Sequence, residues 1–111
     1  MKTLKFKGNL VPKILDKSKT TTWRLFDDKN LQDDDLLILV NSDTCAKFAA
    51  AKITTVREKK LSEINETDFE EGHERYQNPK DMLENYRNYY GEQVNMNSKI
   101  KIVKFRVLEI F

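Results

Sequence analysis

The chain has 111 residues, of which 39% are hydrophobic and 34% are charged, a composition typical of a small soluble globular protein. No apolar run approaches the roughly 18 residues that a membrane-spanning helix needs. The N-terminus also lacks the apolar stretch of a secretory signal, so we expect a cytoplasmic protein that does not contact membranes. The single cysteine, Cys45, excludes an internal disulfide and any metal site built from several thiolates.

The charges are balanced overall but unevenly distributed along the chain. Twenty basic and 18 acidic residues give a net charge of +2, which argues against a protein that grips long duplexes. Residues 2–24 nevertheless hold seven basic side chains and one acid, whereas residues 63–74 hold six acids and no Lys or Arg. The sequence therefore predicts a basic lip that faces an acidic one, around a small ligand or a short single-stranded segment.

Hydrophobic periodicity and turn residues predict an α+β chain. Predicted strands cover residues 4–7, 20–26, 36–41, 46–57 and 100–110, and predicted helices cover residues 10–16, 61–64, 66–71 and 79–90. Asn9, Asn65 and Asn78 are the predicted helix N-caps, and Gly72 and Gly91 the predicted stops. The apolar pattern of the last strand slips by one residue after Ile102, which indicates a bulge. This order favours a small mixed sheet or barrel with helices outside, formed by residues 1–111 as a single domain.

The segment from helix to strand at residues 14–24 is the most informative for chemistry. Alternation in the strand places Thr20, Thr22 and Arg24 on one face. Lys19 lies three residues before Thr22, so the two can cooperate only if Lys19 belongs to the loop that precedes the strand. A polar face inside a small barrel is costly unless a ligand uses it. The competing interpretation is a solvated Thr/Arg face of an antiparallel sheet.

Other polar and aromatic residues suggest less. His73 and Glu74 could ligate a metal, but one histidine and one cysteine make a zinc site improbable, and no metal or cofactor is expected. Trp23, Tyr86, Tyr89 and Tyr90 could stack on bases, although core packing is the preferred interpretation for Trp23, Tyr86 and Tyr90.

These residues resemble those of the ASCH domain family, and the similarity extends over nearly the whole chain. The family signature is Gly-x-Lys-x-x-Glu-x-Arg. Lys19 and Arg24 match its lysine and arginine, whereas Lys17 replaces the glycine and Thr22 the glutamate. Lys17 would have to adopt the backbone conformation that the glycine held, such as a left-handed one.

The resemblance implies a PUA-like fold, a small mixed β-barrel with helices packed outside and a cleft at its mouth. The Lys-Thr-x-Thr-x-Arg pattern is similar to a bacterial branch of small amidohydrolases that deacetylate N4-acetylcytidine. That likeness implies Lys19, Thr22 and Glu74 as the catalytic set. Thr20, Arg24 and Lys17 are the expected ligand-binding residues.

The resemblance leaves several functions open. Thr22 could attack the acetyl carbonyl while Lys19 accepts its proton, or Glu74 could activate a water instead. The same cleft could bind RNA without turnover or cleave it, and a protein-interaction domain with a vestigial cleft is a third class. RNA or a modified nucleoside is the expected partner in the first two cases. The sequence leaves the oligomeric state open.

Overall fold

A computed structural model describes residues 1–26, 29–69 and 75–111. Its strands are β1 (Lys2–Phe6), β2 (Thr21–Leu25), β3 (Leu36–Asn41), β4 (Lys47–Lys60) and β5 (Lys99–Ile110). Its helices are α1 (Val11–Leu15), α2 (Glu66–Phe69) and α3 (Pro79–Tyr90), with 3₁₀ turns at Gly8–Leu10 and Leu61–Glu63. None of the helices in the described residues is long and apolar enough to cross a membrane.

The five strands form one mixed sheet in the order β1-β3-β4-β5-β2. β1 runs parallel to β3, and all other neighbouring strands are antiparallel. The sheet curls into a half-barrel with the helices packed around it, so the predicted PUA-like α+β class is confirmed. β1 and β2 are the two edges of this sheet, and the rest of the site depends on how these edges are brought together.

Two apolar clusters lie on opposite faces of the sheet. One fills the inside of the half-barrel and includes Leu39, Ile53 and Phe105, with Ile14 of α1 packed against them. The other includes Trp23, Ile102 and Met82 and connects the sheet to α3. β5 contributes to both clusters, with Ile102 in one and Val103 in the other, so this strand is covered on both faces.

The pattern slip in the last strand has a different cause from the predicted bulge. Ile102 packs in the α3 cluster, and Val103 packs inside the half-barrel. The pairing of β5 with β2 is regular through both residues. Two adjacent apolar residues are thus buried because both faces of the strand are covered. The register shifts occur elsewhere, and one of them leaves Thr54 of β4 without an opposite residue.

The alanine-rich stretch is a strand, as predicted. Ala49 and Ala51 are completely or almost completely buried inside the half-barrel. The two alanines lie opposite the larger Leu39 and Leu37 of β3, so large and small side chains alternate across the ladder. Packing in the half-barrel therefore outweighs the intrinsic helix preference of alanine.

The start of the first helix differs from the prediction. Asn9 lies within a 3₁₀ turn, and the cap position of α1 is Leu10, which makes no side-chain capping bond. The turn is held instead by the Gly8 N–H, which donates to the Asp43 carboxylate at 3.0 Å. A Cβ at residue 8 would lie 2.5 Å from an Asp43 oxygen, so glycine permits this close approach.

α3 begins and ends where the sequence predicts. The Asn78 side chain accepts a hydrogen bond from the Asp81 N–H at 2.8 Å, and Gly91 ends the helix with φ of +100°.

Replacing Asn78 by alanine is expected to lower the free energy of unfolding by about 1 kcal/mol, measured by urea denaturation. Asn88→Ala, an exposed change within the same helix, is the control and should stabilise the protein by a few tenths of a kcal/mol, roughly. Equal effects of the two changes would contradict the capping role.

A buried carboxylate fixes the short α2 to the sheet. Asp68 is 1% exposed and pairs with Lys59 at 2.9 Å and Arg57 at 3.4 Å, both from β4. It also accepts a bond from the Asn65 N–H at 2.9 Å, and the Asn65 side chain caps the Asp68 N–H at 3.4 Å. Burial alone would raise the pKa of Asp68, but the bonds from Lys59 and Asn65 outweigh it and lower this pKa. The predicted stop at Gly72 lies outside the described residues.

Candidate ligand cleft

The loop between α1 and β2 returns the chain sharply toward the sheet. Lys17 follows the helix with φ of +69°, so it does adopt the left-handed conformation that a glycine would favour. The Lys19 N–H donates to the Lys13 carbonyl at 3.0 Å, and the Ser18 N–H donates to the Asp16 carboxylate at 2.8 Å. Hydrogen bonds from Ser18 lower the pKa of Asp16. The fixed loop holds Lys19 at the mouth of the half-barrel.

Two polar side chains of this segment are buried. Lys19 and Thr22 are each 4% exposed. Lysine is almost never buried without a partner or a function, because removing an ammonium group from water is costly. Lys19 sits in the loop, as its cooperation with Thr22 requires, and both residues line one cleft.

Arg24 joins the two edges of the sheet. Its Nε donates to Thr22 Oγ1 at 3.0 Å on β2, and its Nη2 donates to the Lys5 carbonyl at 2.9 Å on β1. The guanidinium also lies over the Phe6 ring, 4.9 Å from its centroid. In the part of the chain that the structure describes, β1 and β2 share no hydrogen-bonded ladder, and the Arg24 side chain bridges the opening of the half-barrel. It also orients the Thr22 hydroxyl, whose oxygen accepts the hydrogen bond from the Arg24 Nε–H.

The cleft beside this bridge has a volume of about 520 Å³, in the size range of small-molecule sites. Its rim and floor are strongly basic. No Asp or Glu of the described residues lines it, and its cations are Lys5, Lys7, Lys13, Lys19 and Arg24. Such an electropositive concavity attracts anions such as phosphate.

Aromatic rings form much of the wall. The aromatic lining residues are Phe6, Trp23, Tyr76, Tyr86, Tyr89 and Tyr90. Tyr86 and Tyr90 are nearly parallel, with centroids 6.2 Å apart, and Tyr76 lies 6.3 Å from Trp23. The Lys7 ammonium lies 4.5 Å from the Tyr89 centroid, and a hydrogen bond with Tyr89 raises the pKa of Lys7. Flat rings beside cations are suited to a planar ligand that carries negative charge.

One amide offers polar recognition on the α3 side. Asn85 lines the cleft and donates from Nδ2 to the Tyr76 hydroxyl at 3.2 Å. An amide presents both a donor and an acceptor, the combination that reads the edge of a base. The cleft therefore combines stacking surfaces, hydrogen-bonding groups and positive charge.

Comparison with solved structures identifies the fold. Neither a family model nor a curated protein matches the sequence. The ASCH domain of Lactobacillus crispatus superposes with a TM-score of 0.64 at 19% identity, over 89% of this chain and 68% of that one. A mutant of the ASCH protein of Zymomonas mobilis superposes with a TM-score of 0.68 at 10% identity, over 98% of this chain and 73% of that one. This chain has the ASCH-domain fold. Protein EF3133 of Enterococcus faecalis, of the DUF984 family model, shares it with a TM-score of 0.72 at 14% identity, over 94% and 71% of the two chains.

Within this ASCH fold, some of the predicted site residues line the cleft and others do not. Lys19, Thr22 and Arg24 line the cleft together. Lys17 is exposed and Thr20 half-buried, and neither lines the cleft. The Thr20 carbonyl instead accepts from the Phe105 N–H at 3.0 Å, so this residue joins β2 to β5.

The third predicted catalytic residue, Glu74, lies outside the described residues, as does His73. The segment that carries them follows Phe69, whose ring packs 5.2 Å from Trp23. The last residue of α2 therefore packs against Trp23, which lines the cleft.

Sequence reasoning missed several residues of the ASCH cleft. The excess of lysines at residues 2–24 was visible, but nothing in the sequence shows that β1 and β2 meet across an opening. Tyr86 and Tyr90 belong to the apolar stripe of α3, and they serve both as core and as cleft wall. Asn85 and Tyr76 had no distinguishing signal, because their pairing exists only in the folded chain.

Proposed function

We propose that this ASCH-fold protein binds RNA or a modified nucleoside in the cleft and hydrolyses the amide of N4-acetylcytidine there. The observation that carries the proposal is the burial of Lys19 and Thr22 in one cleft walled by aromatic rings. A merely solvated face of β2 would leave Thr22 exposed, whereas Thr22 is 4% exposed. A base stacked on the wall would bring its exocyclic substituent toward these two side chains.

The chemistry follows from the side chains. Thr22 Oγ attacks the acetyl carbonyl carbon, and Lys19, once its ammonium group has released a proton, accepts the hydroxyl proton as the general base. Collapse of the tetrahedral intermediate breaks the C–N bond, and the cytosine N4 leaves as an amine after taking a proton. A water then hydrolyses the threonyl ester, releasing acetate and restoring Thr22. Arg24 stabilises the negative charge that develops beside Thr22. Glu74 would assist in delivering the proton to N4.

A second candidate is binding of the same ligand without turnover. It is favoured by the hydrogen bond from Arg24 Nε to Thr22 Oγ1, which occupies an oxygen lone pair and makes the hydroxyl a weaker nucleophile. In this case the Thr22 hydroxyl would donate a hydrogen bond to the edge of the base. Lys19 and Arg24 would neutralise a phosphate.

The only tryptophan of the chain provides a direct binding test. Trp23 lines the cleft, so a stacked base is expected to quench its fluorescence in a saturable way when N4-acetylcytidine or cytidine is added. N-methylacetamide, which carries the amide but no base, should leave the fluorescence unchanged.

Arg24→Gln should weaken binding of cytidine monophosphate about tenfold, because a charge-assisted bond is lost.

The matched control is Arg106→Gln. Arg106 is exposed on β5 and does not line the cleft, so this change removes the same charge without touching the wall. Saturable quenching that survives Arg24→Gln and Arg106→Gln equally would argue against nucleotide binding at this cleft. The absence of quenching by every nucleoside would reject both candidate functions.

A further inference from the structure

A second depression lies on the other side of Arg24. It measures about 340 Å³ and is lined by Arg24, Phe26, Glu58, Lys99 and Lys101. Arg24 therefore lines both concavities and forms the divide between them. A further link joins them, since the Phe26 ring meets the edge of Tyr90, a wall residue of the first cleft, at 5.8 Å.

The strand register groups the charges of the second depression. Arg24 lies opposite Lys101, Lys101 opposite Glu58, and Lys99 opposite Lys60, so these residues share one face of three neighbouring strands. The lining contains three cations and one carboxylate among the described residues. Like charges directly opposite each other, as at Lys60 and Lys99, destabilise a sheet. A phosphodiester bound beside Lys99, the member of this pair that lines the depression, would offset part of that repulsion.

Phe26 supplies a flat surface beside these cations. Its side chain is 56% exposed, and its backbone has φ of +52°, which is unusual for a bulky residue. An exposed aromatic next to lysines is the arrangement on which single-stranded nucleic acids stack. Phe26 lies two residues after Arg24 and lines the same depression, so a ligand that extends past Arg24 would contact its ring.

We propose that the second depression binds the phosphodiester and base of the nucleotide adjoining the one in the cleft. The natural ligand is then a single-stranded polynucleotide that crosses Arg24, not a free nucleoside. This inference rests on the proposed function, because the first cleft must hold a nucleobase. Lys99 and Lys101 contact the phosphate, and Phe26 stacks on the neighbouring base. The Glu58 carboxylate limits the negative charge of the group that can bind in the depression.

The test compares the double change Lys99→Gln/Lys101→Gln with the wild type in binding a fluorescent tetranucleotide and a free nucleoside. The double variant should bind the tetranucleotide about tenfold more weakly and the nucleoside equally well. Its affinity should also depend less on salt, with the slope of log K against log[salt] reduced by about 0.7 for each phosphate that the variant no longer neutralises. Phe26→Ala should weaken tetranucleotide binding about tenfold as well.

The matched control is Lys104→Gln/Arg106→Gln, which removes two exposed charges from the same strand on its opposite face. Equal loss of affinity in the two double variants would overturn the second site, as would a wild type that binds tetranucleotide no better than nucleoside. Failure of the wild type to bind either ligand would reject the proposed function itself. Ribose and deoxyribose versions of the tetranucleotide distinguish RNA from single-stranded DNA, and tighter binding of either supports the site.

Discussion

Replacing Lys19 by arginine or Thr22 by valine is expected to reduce the release of cytidine from N4-acetylcytidine on the order of a thousandfold. Arginine keeps the positive charge but does not release its proton near neutral pH, so it cannot act as the base. Valine keeps the shape of threonine and removes the nucleophile. The rate of release is measured by chromatography under substrate saturation, and Trp23 fluorescence reports binding in the same samples.

Two conservative changes separate catalysis from structure. Thr22→Ser keeps a hydroxyl and should retain most of the activity, whereas Thr22→Val should not. Thr55→Val and Lys47→Arg are matched controls at exposed positions of β4, and neither should alter the rate. Thermal melting checks that each variant is folded. Full activity in Thr22→Val would exclude the threonine as nucleophile and favour a water-mediated route.

Replacing Asp68 by alanine is expected to give the largest loss of stability, about 3 kcal/mol in the free energy of unfolding. The carboxylate is 1% exposed and accepts bonds from Lys59, Arg57 and the Asn65 N–H. The variant loses these charge-assisted bonds and removes the carboxylate that Lys59 and Arg57 share. For a chain of this size the melting temperature should fall by roughly 10 °C.

Glu66→Ala is the control for Asp68→Ala. Glu66 lies in the same helix and pairs with Arg75, but both side chains are more than half exposed. Surface pairs of this kind contribute about 0–1 kcal/mol. Similar melting temperatures for the two variants would contradict the structural role of Asp68.

The stabilisation by Asp68 should depend on pH. Its pKa in the folded state is below the ordinary value of 3.8 because the bonds from Lys59 and Asn65 outweigh the effect of burial. The contribution is therefore complete well above the unfolded-state pKa and is lost as the pH falls through the folded-state pKa. The difference in stability between wild type and Asp68→Asn should be largest near neutral pH and shrink under acid conditions. A difference that grows with acid would mean that the carboxylate is stabilised in its protonated form.

Local sequence rules predicted most elements of the fold because their causes are local. The cap at Asn78, the stop at Gly91 and the left-handed Lys17 each depend on the backbone within a few residues. The alanine-rich start of β4 is a strand for a tertiary reason, because Ala49 and Ala51 pack inside the half-barrel. The prediction of a bulge after Ile102 was wrong. Burial of β5 on both faces is a tertiary effect, and it makes the apolar pattern of the sequence look as if it had shifted by one residue.

The site was predictable only in part. Alternation along β2 and the position of Lys19 in the loop predicted that Lys19, Thr22 and Arg24 converge. Thr20 obeys the same alternation, yet its backbone serves the junction of β2 with β5 outside the cleft. The role of Arg24 as a bridge from β2 to the Lys5 carbonyl depends on curvature of the sheet, which no pattern in the sequence records.

The most direct test of the proposed activity is incubation of the purified wild-type protein with N4-acetylcytidine, followed by quantification of cytidine and acetate. Amide hydrolysis in the cleft predicts equal amounts of the two products, formed catalytically and abolished in both Lys19→Arg and Thr22→Val. Unchanged N4-acetylcytidine in the presence of folded protein whose Trp23 fluorescence responds to it would contradict the enzyme and leave the cleft as a binding site.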